Sequence, residues 1–282
     1  MQTIEEFISN AKALPPAPTF LARLMVLLNK PDTDSMKVVD LITYDPALTA
    51  SVVRRCNSAY YGFVSPVDNV QEAVTRLGFW EIYRIVVMCS TTRMLSPAQK
   101  GYGMEANELW DHSVATALAA EQIAKDLGDD EAAAFTAGLL HDIGKVMLSQ
   151  QLEDTYIKLL VEVEQNGSSL LEAERKFLGF DHANAGGHLL AHWKFPANLV
   201  AAVWFHHKPS LGKPHQRLAS YVYLGNLIAH FMGHGYGGHA LALKGRSEVL
   251  EILDIPVDRL PYYMIKTMEQ IEAVRSIFNM KT

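Results

Sequence analysis

Apolar residues recur every three or four positions through almost the whole of this chain, and nowhere do they settle into the alternation a strand requires. Phe20, Leu24 and Leu28, with Leu21 and Met25 beside them, make TFLARLMVLL an amphipathic helix, and LPPAP before it breaks the chain and sets the start. Asp45-Pro46 reads as a cap and a first-turn proline opening a helix to about Ser58. A run from near Asp68 carries Val70, Val74 and Leu77 up to Gly78, and FWEIYRIVVMCSTTRML continues as an apolar helix. Beyond SPAQKGYGMEA (96–106), a linker by its Pro and Gly, helices are expected near 107–127, 131–149, 153–165, 168–177, 182–193, 196–207, 216–232, 247–253 and 261–279. GHGYGGHALALKG reads as a glycine-rich loop. The expected fold is all-α: two packed helical subdomains over 1–100 and 105–282.

Bulk composition narrows the functional classes. A net charge of −6 argues against a general nucleic-acid binder. Two cysteines make no disulfide framework, so a reducing cytoplasm is expected. The start MQTIEEFISN has neither the basic nor the apolar region of a signal peptide, and no run has the length of a membrane span. VQEAVTRLGFWEIYRIVVMC loosely suggests a helix-turn-helix, but Ile82, Ile85, Val86, Val87 and Met88 call for a core and not for a DNA groove.

All eleven histidines follow residue 105, which separates two chemically different halves. The stretch AGLLHDIGKVML sets His141, Asp142 and Lys145 in otherwise apolar sequence, where an uncompensated carboxylate costs several kcal/mol to bury. His112, His182 and the pair His206-His207 are the other notable positions. Small residues lie beside them on the helix: Ala115 and Thr116 near His112, Ala137 and Gly138 near the pair His141-Asp142, Gly186 near His182, and Ala202 near His206. Small neighbours let helices approach until several imidazoles meet. Neutral imidazoles and a carboxylate suit divalent Fe, Mn, Ni or Zn. Plainer roles compete at this stage: His206-His207 as favourable charge at a helix C-terminus, and HDIGK as a cap or an Asp142–Lys145 ion pair. His188, His192, His215, His230, His234 and His239 read as partly exposed or hydrogen-bonded residues.

LLHDIGK resembles the signature of the HD metal-dependent phosphohydrolase superfamily, and LWDHS resembles its first-ligand helix. FDHANAGGHLLAHWKFP followed by AAVWFHH is similar to the later ligand helices of the HD-GYP branch. The stretch LPPAPTFLARLMVLLNKPDTDSMKVVDLITYDPALTASVVRRCNSAYYG, then VQEAVTRLGFWEI, resembles the HDOD domain family. That resemblance covers roughly residues 10–230 and implies a helical bundle beside an HD-like helical domain. It also implies a bacterial signalling context, in which many members act without catalysis.

Carried over by the resemblance, His112, His141 and Asp142 would be metal ligands, with Asp142 bridging. His182, His206 and His207 would complete a second position. Asp142 and Lys145 would be the catalytic pair, Lys145 facing a phosphate. The last ligand of active HD enzymes is an aspartate; here the matching stretch YVYLGNLIAHF offers Asn226, and no Asp lies between Asp181 and Asp254. The GYP signature is absent after His207. The expectation is a regulatory protein acting mainly by binding, through a partner protein or a small phosphate-containing ligand, with no nucleic acid and no membrane. The alternative is a divalent-metal phosphohydrolase acting on a nucleotide or cyclic dinucleotide.

Overall fold

A computed structural model describes residue 4, residues 18–28, 35–149, 169–235 and 246–278, and positions 159, 161, 163 and 165. Among the described residues all regular structure is helical, apart from an isolated bridge between Gln99 and Met104. No helix among them is long and apolar enough to cross a membrane. The chain divides into two compact units: Pro18–Arg93 with Met268–Thr282, and Met94–Thr267 with Met1–Ala17. The sequence reading carries the second domain to the end of the chain, whereas here the last residues group with the first unit.

The first unit is built on α1 (Thr19–Leu28), α2 (Ser35–Thr43), α3 (Pro46–Cys56), α4 (Val70–Leu77) and α5 (Phe79–Leu95). The short helix α2 is not among those anticipated. Asp45 caps α3 by accepting the Leu48 amide at 3.0 Å, with Pro46 in the first turn. Asn57 then clamps the following loop: its side chain donates to the Val67 carbonyl at 2.8 Å and accepts the Val67 amide at 2.7 Å. Ile82, Ile85, Val86, Val87 and Met88 of α5 are all buried, so that helix is core and presents no groove-reading face.

The second unit centres on α6 (Glu108–Asp126), held between α7 (Glu131–Leu140) and α12 (Gln216–Phe231). Ala115, Ala117, Ala119 and Ala120 of α6 are fully buried. Glycines face them: a Cβ on Gly138 would lie 2.7 Å from the Ala117 Cα, and one on Gly225 2.5 Å from the Thr116 carbonyl oxygen. Backbones therefore touch on both sides of α6. The helix expected over 131–149 is interrupted: α7 ends at Leu140, His141 and Asp142 form a turn, and α8 runs over 143–149. The apolar run passes through this break because every residue from 133 to 149 is buried, on both sides of the turn. Next come α9 (Leu170–Leu178), α10 (His182–His192), α11 (Ala197–Trp204), α13 (Arg246–Leu253) and the start of α14 (Leu260–Phe278), which groups with the first unit from Met268 on. Most of the helix expected over 153–165 lies outside the described residues, as does the glycine-rich loop after Gly235.

The stretch 96–106 is not an exposed tether. Gln99, Gly101, Tyr102 and Met104 are buried, and the Gly101 amide donates to Ser149 Oγ at 3.1 Å. Gly225→Ala is expected to lower stability by about 1–3 kcal/mol, because its methyl meets backbone that cannot rotate away. Urea unfolding measures this; an unchanged midpoint would show that α6 and α12 have slack between them.

Candidate metal centre

Each histidine of the centre is placed by local structure. His112 lies on α6, one turn inside its start. His141 and Asp142 occupy the turn between α7 and α8. His182 is the first residue of α10, fixed by a reciprocal cap in which Asp181 accepts the Asn184 amide and Asn184 accepts the Asp181 amide. His206 and His207 lie in the turn after α11, which ends earlier than the sequence suggests. Gly144 makes the arrangement possible, since a Cβ there would fall 1.9 Å from the His182 carbonyl oxygen.

Four imidazoles are oriented the same way. His112 Nδ1 faces the His234 carbonyl, His141 Nδ1 the Gly138 carbonyl and His206 Nδ1 the Val203 carbonyl, each at 2.7 Å. His182 Nδ1 faces Glu174 Oε2, also at 2.7 Å. A carbonyl or carboxylate oxygen only accepts, so Nδ1 carries the proton and Nε2 keeps its lone pair. Those lone pairs turn towards Asp142. Its Oδ2 is 3.3 Å from His141 Nε2 and 3.6 Å from His112 Nε2. Its Oδ1 is 3.3 Å from His182 Nε2 and 3.9 Å from His206 Nε2. His207 Nε2 stands 2.8 Å from His182 Nε2.

The ligand atoms fall into two groups, His112 with His141 and Asp142, and His182 with His206 and His207. Metal–nitrogen bonds of about 2.0–2.1 Å at a tetrahedral angle set neighbouring ligand atoms roughly 3.3 Å apart. His112 Nε2 and His141 Nε2 are 3.3 Å apart with no proton to share, an arrangement that a cation between them would relieve. His206 Nε2 is buried without a hydrogen-bond partner among the described residues. The donors therefore fit a divalent ion in each group, with one oxygen of Asp142 turned to each.

Electrostatics match this. Burial holds His112, His206 and His207 well below the usual histidine range, in the neutral form a metal requires. Burial works against the charge on Asp142, but the neighbouring His141, Lys145 and His182 hold its carboxyl well below the carboxylate range. Lys145 Nζ donates to Asp142 Oδ2 at 2.6 Å. The ion pair that sequence alone allows for HDIGK is thus present inside the cluster.

Asn226 is buried on α12, and its Oδ1 has no hydrogen-bond partner among the described residues. His188 packs on Trp204 with ring centres 4.3 Å apart, and His192 is exposed. One residue escapes the sequence reading. Glu174 is fully buried; its Oε2 accepts both the backbone amide of His182 at 2.9 Å and its Nδ1–H, while Oε1 accepts the Tyr102 hydroxyl at 3.0 Å. Such a carboxylate fixes the tautomer and aim of a ligating histidine. The available signal is its position one turn from Leu170 and Leu178, on the inward side of α9. His230, expected to be partly exposed or hydrogen-bonded, is half-buried on α12 with its ring 4.9 Å from that of His112. Burial, with Lys145 nearby, pushes its pKa down to about 4.

The HDOD domain family's model matches residues 14–209, and the chain belongs to that family. It is similar to an uncharacterized protein of Treponema pallidum (strain Nichols), at 27% identity over 224 residues, covering 78% of this chain and 42% of that protein. The chain thus spans less than half the length of this curated relative. Three crystal structures share the fold. An HDOD domain protein of unknown function from Geobacter sulfurreducens has a TM-score of 0.74 at 23% identity, covering 94% of this chain and 96% of its own. A candidate phosphohydrolase from Shewanella amazonensis SB2B has 0.72 at 24%, covering 96% and 97%. A candidate signal transduction protein from Marinobacter aquaeolei VT8 has 0.77 at 22%, covering 99% of this chain and 61% of its own.

The oxygen anchors predict that His112, His141, His182 and His206 are all Nδ1–H tautomers in the metal-free protein at neutral pH. Long-range nitrogen–proton NMR reads this directly. Glu174→Ala is expected to change the tautomer of His182 alone and to lower stability by about 1–3 kcal/mol, through the donors it strands. An unchanged His182 signal would deny Glu174 its orienting role.

Proposed function

We propose that this HDOD protein is a signalling component that works mainly by binding, with a divalent-metal centre in its second unit that receives a phosphate-containing ligand. One observation carries the reading: both oxygens of Asp142 face converging Nε2 lone pairs whose opposite nitrogens are anchored. His112, His141 and Asp142 would hold one ion and His182, His206 and His207, with Asp142, the other. Iron, manganese, nickel or zinc suits this donor set. Bound metal would offset phosphate charge and lower the pKa of a coordinated water. Lys145, already on Asp142, is the group of this chain that would meet a phosphate oxygen. The first unit would supply the surface for a regulatory protein partner.

Binding is preferred to turnover because of residue 226. With asparagine there, Asp142 is the single carboxylate among the proposed ligands, so the loaded centre keeps an excess of positive charge. Such a centre holds an anion firmly. Hydrolysis additionally requires a hydroxide tuned and aimed by a balanced cluster. The second reading, a phosphohydrolase acting on a nucleotide or cyclic dinucleotide, draws support from the retained pair Asp142–Lys145 and from the candidate phosphohydrolase that shares the fold.

Protein purified without chelators is expected to carry divalent metal by elemental analysis, and His141→Ala to lose it. Calorimetry should show inorganic phosphate binding to the metal-loaded wild type but not to metal-stripped protein. Release of phosphate or linear dinucleotide that disappears in Asp142→Ala would replace the binding reading with the enzymatic one. A wild type that takes up no metal would end both.

A further inference from the structure

The stretch 96–106, a linker by composition, approaches the centre in a fixed shape. Gln99 and Met104 pair through both amides, at 3.0 and 3.2 Å, and Gly103 at φ +64 closes the turn between them. The turn is pinned to α8. The Gly101 amide donates to Ser149 Oγ at 3.1 Å, and a Cβ on Gly101 would lie 3.1 Å from the Ser149 Cα, so little space separates the two backbones. Ser149 follows Lys145 by one turn of α8, so both lie on one side of that helix. Pinning Gly101 to Ser149 therefore sets Tyr102 beside Lys145.

Tyr102 is 6% exposed and touches a neighbour of Asp142 on each side. Its hydroxyl donates to Glu174 Oε1 at 3.0 Å. The other oxygen of that carboxylate holds the His182 Nδ1–H at 2.7 Å, and His182 Nε2 stands 3.3 Å from Asp142 Oδ1. The ring of Tyr102 faces Lys145, whose Nζ is 5.8 Å from the ring centre and donates to Asp142 Oδ2 at 2.6 Å. The contacts close on themselves, from Tyr102 through Glu174, His182, Asp142 and Lys145 back to Tyr102. A tyrosine that only satisfies a buried acid needs the first of these contacts. The second sets a cation on the face of the ring, inside the reach of about 6 Å over which that attraction acts. One side chain thus bears on a proposed metal ligand and on the ammonium proposed to meet a phosphate.

We propose that Tyr102 is a positioning residue of the centre: its hydroxyl steadies His182 through Glu174, and its ring face holds the Lys145 ammonium where a phosphate oxygen would meet it. The inference rests on the metal and phosphate reading above and adds the residue that ties the two together. The two roles belong to different parts of one side chain, so two substitutions separate them.

The test uses the full chain. In metal-free protein, Tyr102→Phe leaves Glu174 with one donor fewer, so the carboxylate should accept more strongly from His182 and move its Nδ1–H resonance downfield. In titrations with cobalt(II) followed by equilibrium dialysis, wild type should take two equivalents. Tyr102→Phe and Tyr102→Leu should each bind one of them about 10-fold more weakly, the lesser loss expected when a group behind a ligand is removed. Calorimetry with inorganic phosphate, at protein concentrations that keep both equivalents bound, should then part the two variants. Tyr102→Phe keeps the ring and should bind phosphate as wild type does, whereas Tyr102→Leu should bind it about 3-fold more weakly or worse. Tyr263→Phe removes a like bond, from its hydroxyl to Asp126 at 2.9 Å, and should match wild type in all of these readouts. Wild-type cobalt affinity with an unmoved His182 resonance in folded Tyr102→Phe would overturn the assignment while leaving the centre standing. So would equal phosphate affinity in Tyr102→Phe and Tyr102→Leu. A wild type that takes up no cobalt would overturn the centre, and this assignment with it.

Discussion

Asp142 is a carboxylate with almost no contact with water, and the second unit is organised around making that tolerable. An isolated buried ion costs several kcal/mol. Here Lys145 donates to one oxygen, and imidazoles from α6, the α7–α8 turn, α10 and the turn after α11 surround both. Parts of the chain far apart in sequence must be brought within about one ligand spacing of a single side chain. Close packing of helices on glycine and alanine is the means: Gly138 and Gly225 set the distances around α6, and Gly144 lets α8 reach the backbone of His182.

Helical character was legible throughout, because amphipathic periodicity is a local property. The ends were less so. The break at His141-Asp142 is hidden since α7 and α8 bury continuous apolar sequence, and the turn holding His206 and His207 follows a helix whose pattern does not mark its end. The stretch 96–106 has a linker's composition, yet it is buried because Ser149, far along the chain, supplies the hydrogen bond its backbone requires. His112, His141, His182 and His206 could be picked out because small residues accompany each of them at helical spacing in the sequence. Glu174 is harder to see: one acid in a helix rich in charge reads as solvated, and beyond its alignment with Leu170 and Leu178 it is its partners, His182 and Tyr102, that reveal its burial.

Membership of the HDOD family accounts for the fold and does not by itself choose between binding and chemistry. The proposed preference for binding rests on individual residues: Asn226 carries no charge while His141, Asp142 and Lys145 stand together, and on that proposal the centre would hold a phosphate without cleaving it. The distinction is one of charge at the centre and not of its overall shape.

The atoms that aim His141 and His206 are carbonyls of Gly138 and Val203, so they belong to the main chain. No change of side chain deletes a carbonyl. Under the proposed metal reading, a lineage that stopped needing metal could replace the imidazoles themselves while the acceptors behind them stayed in place. Such a descendant would retain the cradle without its ligands, and a later substitution back to histidine would find its orientation already determined.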